Sequence, residues 1–230
     1  MRRAIAIVAI VLGLVLALSA QQLEELSKKA TAGDVAAQIK LGDMYSLGNS
    51  VPRNLVSAAK WYRMAADTGD AEAQTKLGMM LDGGFGVTKN PKEAMSLFEK
   101  AAEKGNTAAQ MRLATAYEIG RDVEKNGKLA VKYYEMAADG GVVKAQLKLG
   151  NIYRDGLGNV QRDYPESLKW FQKAADAGDS EGEYQLGVVY EQGYGVVANT
   201  DTAIKWYRMA AQHGSPTAKV SLHNLGVSLN

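Results

Sequence analysis

The chain has 230 residues, 47% of them hydrophobic and 7% aromatic, and it contains no cysteine. Lys and Arg number 27 against 25 Asp and Glu, but Arg2 and Arg3 belong to an N-terminal segment unlike the rest, and without them the charges balance at 25 each. This balance leaves no general basic surface for nucleic acid or a membrane, and without cysteine no disulfide can staple the fold, so stability has to come from packing.

Residues 1–20 read "MRRAIAIVAIVLGLVLALSA". A basic start, an apolar run from Ala4 to Leu18 and a close on Ala17-Leu18-Ser19-Ala20 are the layout of an export signal cleaved after Ala20. Leu18 is larger than the usual residue at its position, and the alternative is an uncleaved N-terminal anchor, although the run is short for a span of about 20 residues. With the basic end kept inside, both readings export the remainder. The expected location is therefore periplasmic or secreted in a bacterium, with no membrane partner unless the segment is retained.

From Gln21 onward the chain aligns on itself. Gly33, Gly69, Gly105, Gly141, Gly178 and Gly214 are spaced 36, 36, 36, 37 and 36 residues apart. Leu41, Leu77, Leu113, Leu149, Leu186 and Leu222 keep the same intervals, and Asn54, Asn90, Asn126, Asp163 and Asn199 form a third column. Asn159 in "GLGNV" is the single insertion, because "GFGV" and "GYGV" lack it. Three columns in one phase mark a tandem array. "KWYRMAA" at 60–66 and again at 205–211 is one packing solution met in the first and fifth units.

Each unit predicts two helices. The first, as in Asp70 to Asp82, carries Ala73, Leu77, Gly78 and Leu81 on one 3.6-residue face. Asp34, Asp70, Asn106, Asp179 and Ser215 stand where an N-cap oxygen is needed, with Val142 the exception. Glycine-rich loops such as "DGGFGV" stop it. The second helix starts at the Asn/Asp column, runs through an aromatic pair and "AA", and ends at the Gly column, where positive φ closes it. The array divides as a half-unit 21–33, units 34–69, 70–105, 106–141, 142–178 and 179–214, and a terminal half-unit 215–230. The half-units cap the ends of the stack.

The pattern is carried best by "AEAQTKLGMMLDGGFGVTKNPKEAMSLFEKAAEKG" and "GEYQLGVVYEQGYGVVANTDTAIKWYRMAAQHG". It resembles the Sel1-like repeat, a relative of the tetratricopeptide repeat with a longer loop between its helices, over residues 21–230. The departures are Leu81 in place of Tyr, "GRDVEKN" without its second glycine, and His223 in place of Gly. The resemblance implies an all-α, right-handed α-solenoid of stacked antiparallel helix pairs, with first helices lining the concave side.

Little in the chain speaks for catalysis. Trp61-Tyr62, Leu97-Phe98, Tyr133-Tyr134, Trp170-Phe171 and Trp206-Tyr207 recur once per unit, as core residues do. His213 and His223 are the only histidines, and no HExxH or nucleophile elbow occurs, so no catalytic residue, metal or cofactor is expected. "GFG", "GLG" and "GYG" follow helices and lack GK[ST], which makes them turns rather than phosphate loops. Some relatives of the repeat class are described as β-lactamases. They are cysteine-rich in every repeat, and this chain has no cysteine.

The remaining signal lies on the first helices. Just before the Leu column stand Lys40, Lys76, Arg112 and Lys148, followed by Gln185 and Ser221, and one position earlier stand Ile39, Thr75, Met111, Leu147, Tyr184 and Val220. A cationic ladder beside a largely apolar one is a recognition surface for a protein segment with acidic and apolar side chains. The expected function is an exported, non-enzymatic scaffold or adaptor with Lys40, Lys76, Arg112, Lys148, Ile39, Met111, Leu147 and Tyr184 in its partner-binding groove. The alternatives are a cell-wall-acting hydrolase of the β-lactam class and a membrane-anchored structural scaffold.

Overall fold

The computed structural model describes residues 21–228, and the expected export signal, 1–20, lies outside them. Among the described residues the secondary structure is helical, with no strand. The helices are α1 (21–31), α2 (Val35–Leu47), α3 (Leu55–Asp67), α4 (Ala71–Gly83), α5 (Pro91–Glu103), α6 (Thr107–Ile119), α7 (Gly127–Asp139), α8 (Val143–Asp155), α9 (Tyr164–Asp176), α10 (Ser180–Gln192), α11 (Thr200–Gln212) and α12 (Pro216–Asn224). The chain divides into two units, Met1–Asn106 and Thr107–Asn230. Within the first, α2 packs on α3, α3 on α4 and α4 on α5, and within the second each helix from α6 packs on its successor through α12. Each unit is thus a stack of all-α helical hairpins, the architecture of an α-solenoid.

The caps show why the helices begin where they do. Asp34, Asp70, Asp163 and Asn199 each accept from the backbone amide three residues on, at 2.9, 2.8, 3.0 and 2.9 Å, which satisfies a donor that the helix itself leaves open. Val142 supplies no such bond, as its side chain dictates. The second helices end at glycines with positive φ, between 79° and 98° over Gly33, Gly69, Gly105, Gly141, Gly178 and Gly214, a region that only glycine occupies without cost.

The repeated columns form the core. Every Leu of the Leu column from Leu41 to Leu222 is at most 1% exposed. The second aromatic of each pair, Tyr62, Phe98, Tyr134, Phe171 or Tyr207, is buried, whereas Trp61, Tyr133 and Trp206 are only half-buried. The glycine after Leu has a packing reason in four repeats. A Cβ on Gly42, Gly78, Gly150 or Gly187 would meet the ring of Tyr62, Phe98, Phe171 or Tyr207 inside van der Waals contact. Helix and ring approach each other through the missing side chain. In the third repeat, Ala114 fills that position and is fully buried.

The single insertion is accommodated at a helix start. Asn159 Oδ1 accepts from the Lys128 amide at 3.1 Å, beside the cap that Asn126 gives to Leu129. The extra residue therefore satisfies a second free amide of α7 instead of disturbing the stack.

Candidate functional site

The expected cationic ladder lies on the first helices, and its members differ in their surroundings. Lys76 Nζ on α4 donates to Asp43 Oδ1 of α2 at 2.6 Å and stands 3.3 Å from Glu72 Oε1. Tyr62 Oη on α3 donates to the same Asp43 oxygen, also at 2.6 Å. In the second unit Lys148 Nζ on α8 reaches both oxygens of Glu118 on α6, at 2.9 and 3.1 Å, and Tyr134 Oη of α7 donates to that carboxylate. A tyrosine from the second helix, an acid from the first and a lysine from the next repeat thus converge on one point.

The remaining repeats of the second unit vary this arrangement in a chemically consistent way. Tyr207 Oη of α11 donates to Glu191 of α10, and Ser221 occupies the lysine column there. Where the aromatic is Phe171, which has no hydroxyl to offer, the acid position holds Arg154 instead. Its guanidinium lies 5.9 Å from the Phe171 ring centre and donates to Gln185, the ladder residue of the next repeat, at 2.7 Å. Within the second unit, then, hydroxyl pairs with carboxylate, and the bare ring of Phe171 pairs with guanidinium. Lys76, Lys148 and Gln185 therefore tie one repeat to the next.

The local electrostatics follow. Burial, and then the neighbouring carboxylate, push the hydroxyls of Tyr62, Tyr134 and Tyr207 far above the ordinary phenolic range. Burial works against the charge on Lys76, but its bonds to Asp43 and Glu72 outweigh it and hold the ammonium above the usual lysine range.

Lys40 is exposed and has no ion pair among the described residues, and Arg112 is exposed. The apolar column is buried or half-buried from Ile39 to Tyr184, whereas Val220 is 59% exposed. Ile39 is intermediate, Met111 packs on the α6–α9 core, Leu147 on the Phe171 cluster, and Tyr184 lies 5.5 Å from the Tyr207 ring. Thr75 is buried and donates to the Ala71 carbonyl. The second unit therefore gathers Met111, Leu147 and Tyr184 at the seams between hairpins.

Two features escaped the sequence reading. The first is the acid column itself, Ser46, Asp82, Glu118, Arg154 and Glu191, five residues after each Leu, whose in-phase recurrence was the available signal. The second is Glu183, 1% exposed, with His213 Nδ1 2.9 Å from each of its oxygens. Gln38 and Gln74 stand in the same column and use their amides to cap Ala30 and Ala66 carbonyls. A carboxylate cannot donate in that way, so it takes a partner that can. Among the described residues, no group of His, Asp and Glu is arranged to hold a metal ion, and no helix is long and apolar enough to cross a membrane.

The Sel1 repeat family model matches five stretches, 35–70, 71–106, 107–142, 143–179 and 180–215. A Sel1 repeat protein from Oxalobacter formigenes is 32% identical, with a TM-score of 0.81 over 91% of this chain and 88% of that one. A protective antigen of uropathogenic Escherichia coli, c5321, which displays an SLR fold, is 30% identical with a TM-score of 0.82; the match covers 91% of this chain but only 46% of the antigen. No curated protein matches the sequence.

Proposed function

Because the chain belongs to the Sel1 repeat family, whose repeats generally mediate protein–protein interaction and are generally non-catalytic, we propose that it is an exported adaptor that binds a partner protein on its first-helix face. The observation that carries this reading is the uneven use of that face. Lys76 and Lys148 are committed to holding repeats together, while Lys40 projects from the same column, exposed and without a counter-ion among the described residues. A long cationic side chain left without an acid beside half-buried Ile39 suits a partner segment that carries acidic and apolar groups.

Export rests on the first twenty residues and is tested separately. Mass spectrometry of the protein recovered from the producing cell should show a mature chain that starts at Gln21 in the exported fraction; an intact Met1 in the cytoplasm would contradict it. Lys40→Glu should weaken partner binding about fivefold, the scale of reversing one exposed charge, without altering the fold. Unchanged affinity would remove the first-helix face from the account.

A further inference from the structure

In the first unit a cleft of about 430 Å³ opens between the first and second hairpins, a volume within the range of side-chain and ligand pockets. Its origin can be read from the repeat alignment. The acid column holds Asp82, Glu118, Arg154 and Glu191 in the other repeats, but the first repeat has Ser46 there. The acid that pairs with Tyr62 and Lys76 comes instead from Asp43, one turn earlier on α2. Ser46 thus lines the cleft where the other repeats carry Asp, Glu or Arg.

Apolar groups dominate the walls. Leu47 is 67% exposed and Phe85 56%, two of the few large apolar side chains so exposed, and Leu55, Met79 and Met80 complete the lining. Paired methionines give an adaptable surface that can repack around different guests. Asp43 and Lys76 neutralise each other at the base. One charge remains, that of Arg53 at the rim. Its Nε donates to the Ser46 carbonyl at 3.0 Å, and no acid is paired with it among the described residues. A guanidinium held by its Nε presents its outer nitrogens as a fork suited to a carboxylate.

We infer that this cleft is an anchoring pocket for a partner segment that carries a bulky apolar side chain next to a carboxylate, with the apolar group between Leu47, Met80 and Phe85 and the carboxylate on Arg53. The inference rests on the protein-binding reading above and names its site and chemistry. Arg53 and the apolar rim provide complementary selection: the pocket recognises size, and the arginine recognises charge.

The test uses the full mature chain with 13C-labelled methionine methyls. The probe is the peptide Gly-Ser-Phe-Glu-Ser-Gly, acetylated and amidated, together with versions carrying Ala for Phe or Gln for Glu. The parent peptide should shift the methyls of Met79 and Met80 and bind about fivefold more tightly than either changed version. In Arg53→Gln, which lies on the surface and leaves the core untouched, the preference for Glu over Gln should fall to about one while the preference for Phe over Ala persists. In Phe85→Ala the second preference should fall instead. A Glu preference that survives in Arg53→Gln overturns the assignment, as does a peptide that moves no methyl. Shifts confined to Met111 and Met136 would also overturn the cleft but leave partner binding by another face standing.

Discussion

At the scale of single residues, the Tyr–acid–Lys points at the repeat seams determine how the ladder cations are used. Tyr134 is fully buried and gives its hydroxyl to Glu118, which also holds Lys148. Tyr134→Phe keeps the ring but removes a hydrogen bond to a charged group, and it should cost about 1.5 kcal/mol in chemical denaturation. A variant as stable as the parent would show that the hydroxyl contributes nothing net. The same groups predict an alkaline limit. Tyr153 is pushed up to about 12 by burial and by the charge of Glu135, and Tyr62, Tyr134 and Tyr207 are raised further for the same reasons. An unfolded tyrosine loses its proton near pH 10. Above about that pH the unfolded chain has released protons that the folded chain retains, so stability falls as pH rises and is fully present below it. The denaturation midpoint should hold steady from about pH 8 to 9.5 and then drop; in a triple Tyr62→Phe, Tyr134→Phe, Tyr207→Phe variant the drop should be smaller. An equal drop in both proteins would assign it to other groups.

At the scale of the element, most of what places a helix was legible in the residues. Asp34, Asp70, Asp179 and Ser215 and the Asn/Asp column of the second helices predict N-caps and provide them, Val142 predicts a missing cap and lacks it, and the glycine column predicts the left-handed ends that close the second helices. The glycine after four of the six column leucines was legible as a column but not as a cause. Its reason is the ring from the paired helix, and that contact depends on how the two helix faces meet. Gly150 tests it. Replacing it with Val would set a branched side chain against the buried Phe171 ring and should destabilise by about 2–3 kcal/mol, as overpacking does. Helix propensity alone predicts the opposite, little change or a small gain when a helical glycine is replaced. A Gly150→Val variant as stable as the parent would mean that helix propensity, not the ring, sets the glycine column.

At the scale of the whole molecule, the tandem array, its phase and its all-α class were readable because six in-phase glycines and leucines cannot arise without a repeating unit. The site was read less completely. Lys40, Lys76, Arg112 and Lys148 look alike in one dimension, since each precedes a core Leu. What separates Lys40 from Lys76 and Lys148 is whether an acid from the preceding repeat lies within reach, and that acid is 33 residues away for Lys76 and 30 for Lys148. Helical periodicity within one repeat cannot reveal a bond made between repeats. The exchange of Glu118 with Tyr134 for Arg154 with Phe171 was the available clue, and it acquires meaning only once ring and guanidinium are seen in contact.

The central claim is that this family member binds a partner protein through its first helices. Site-specific photo-cross-linking in the producing cell tests it most directly, with the photoreactive residue placed at exposed Ala36, one turn before Lys40 on α2, in one variant and at exposed Lys60 on the second helix of the same repeat in another. The account predicts one discrete adduct from position 36, lost when Arg53 and Lys40 are both reversed to Glu, and none from position 60. An adduct from position 60 alone, or none from either position, would contradict it.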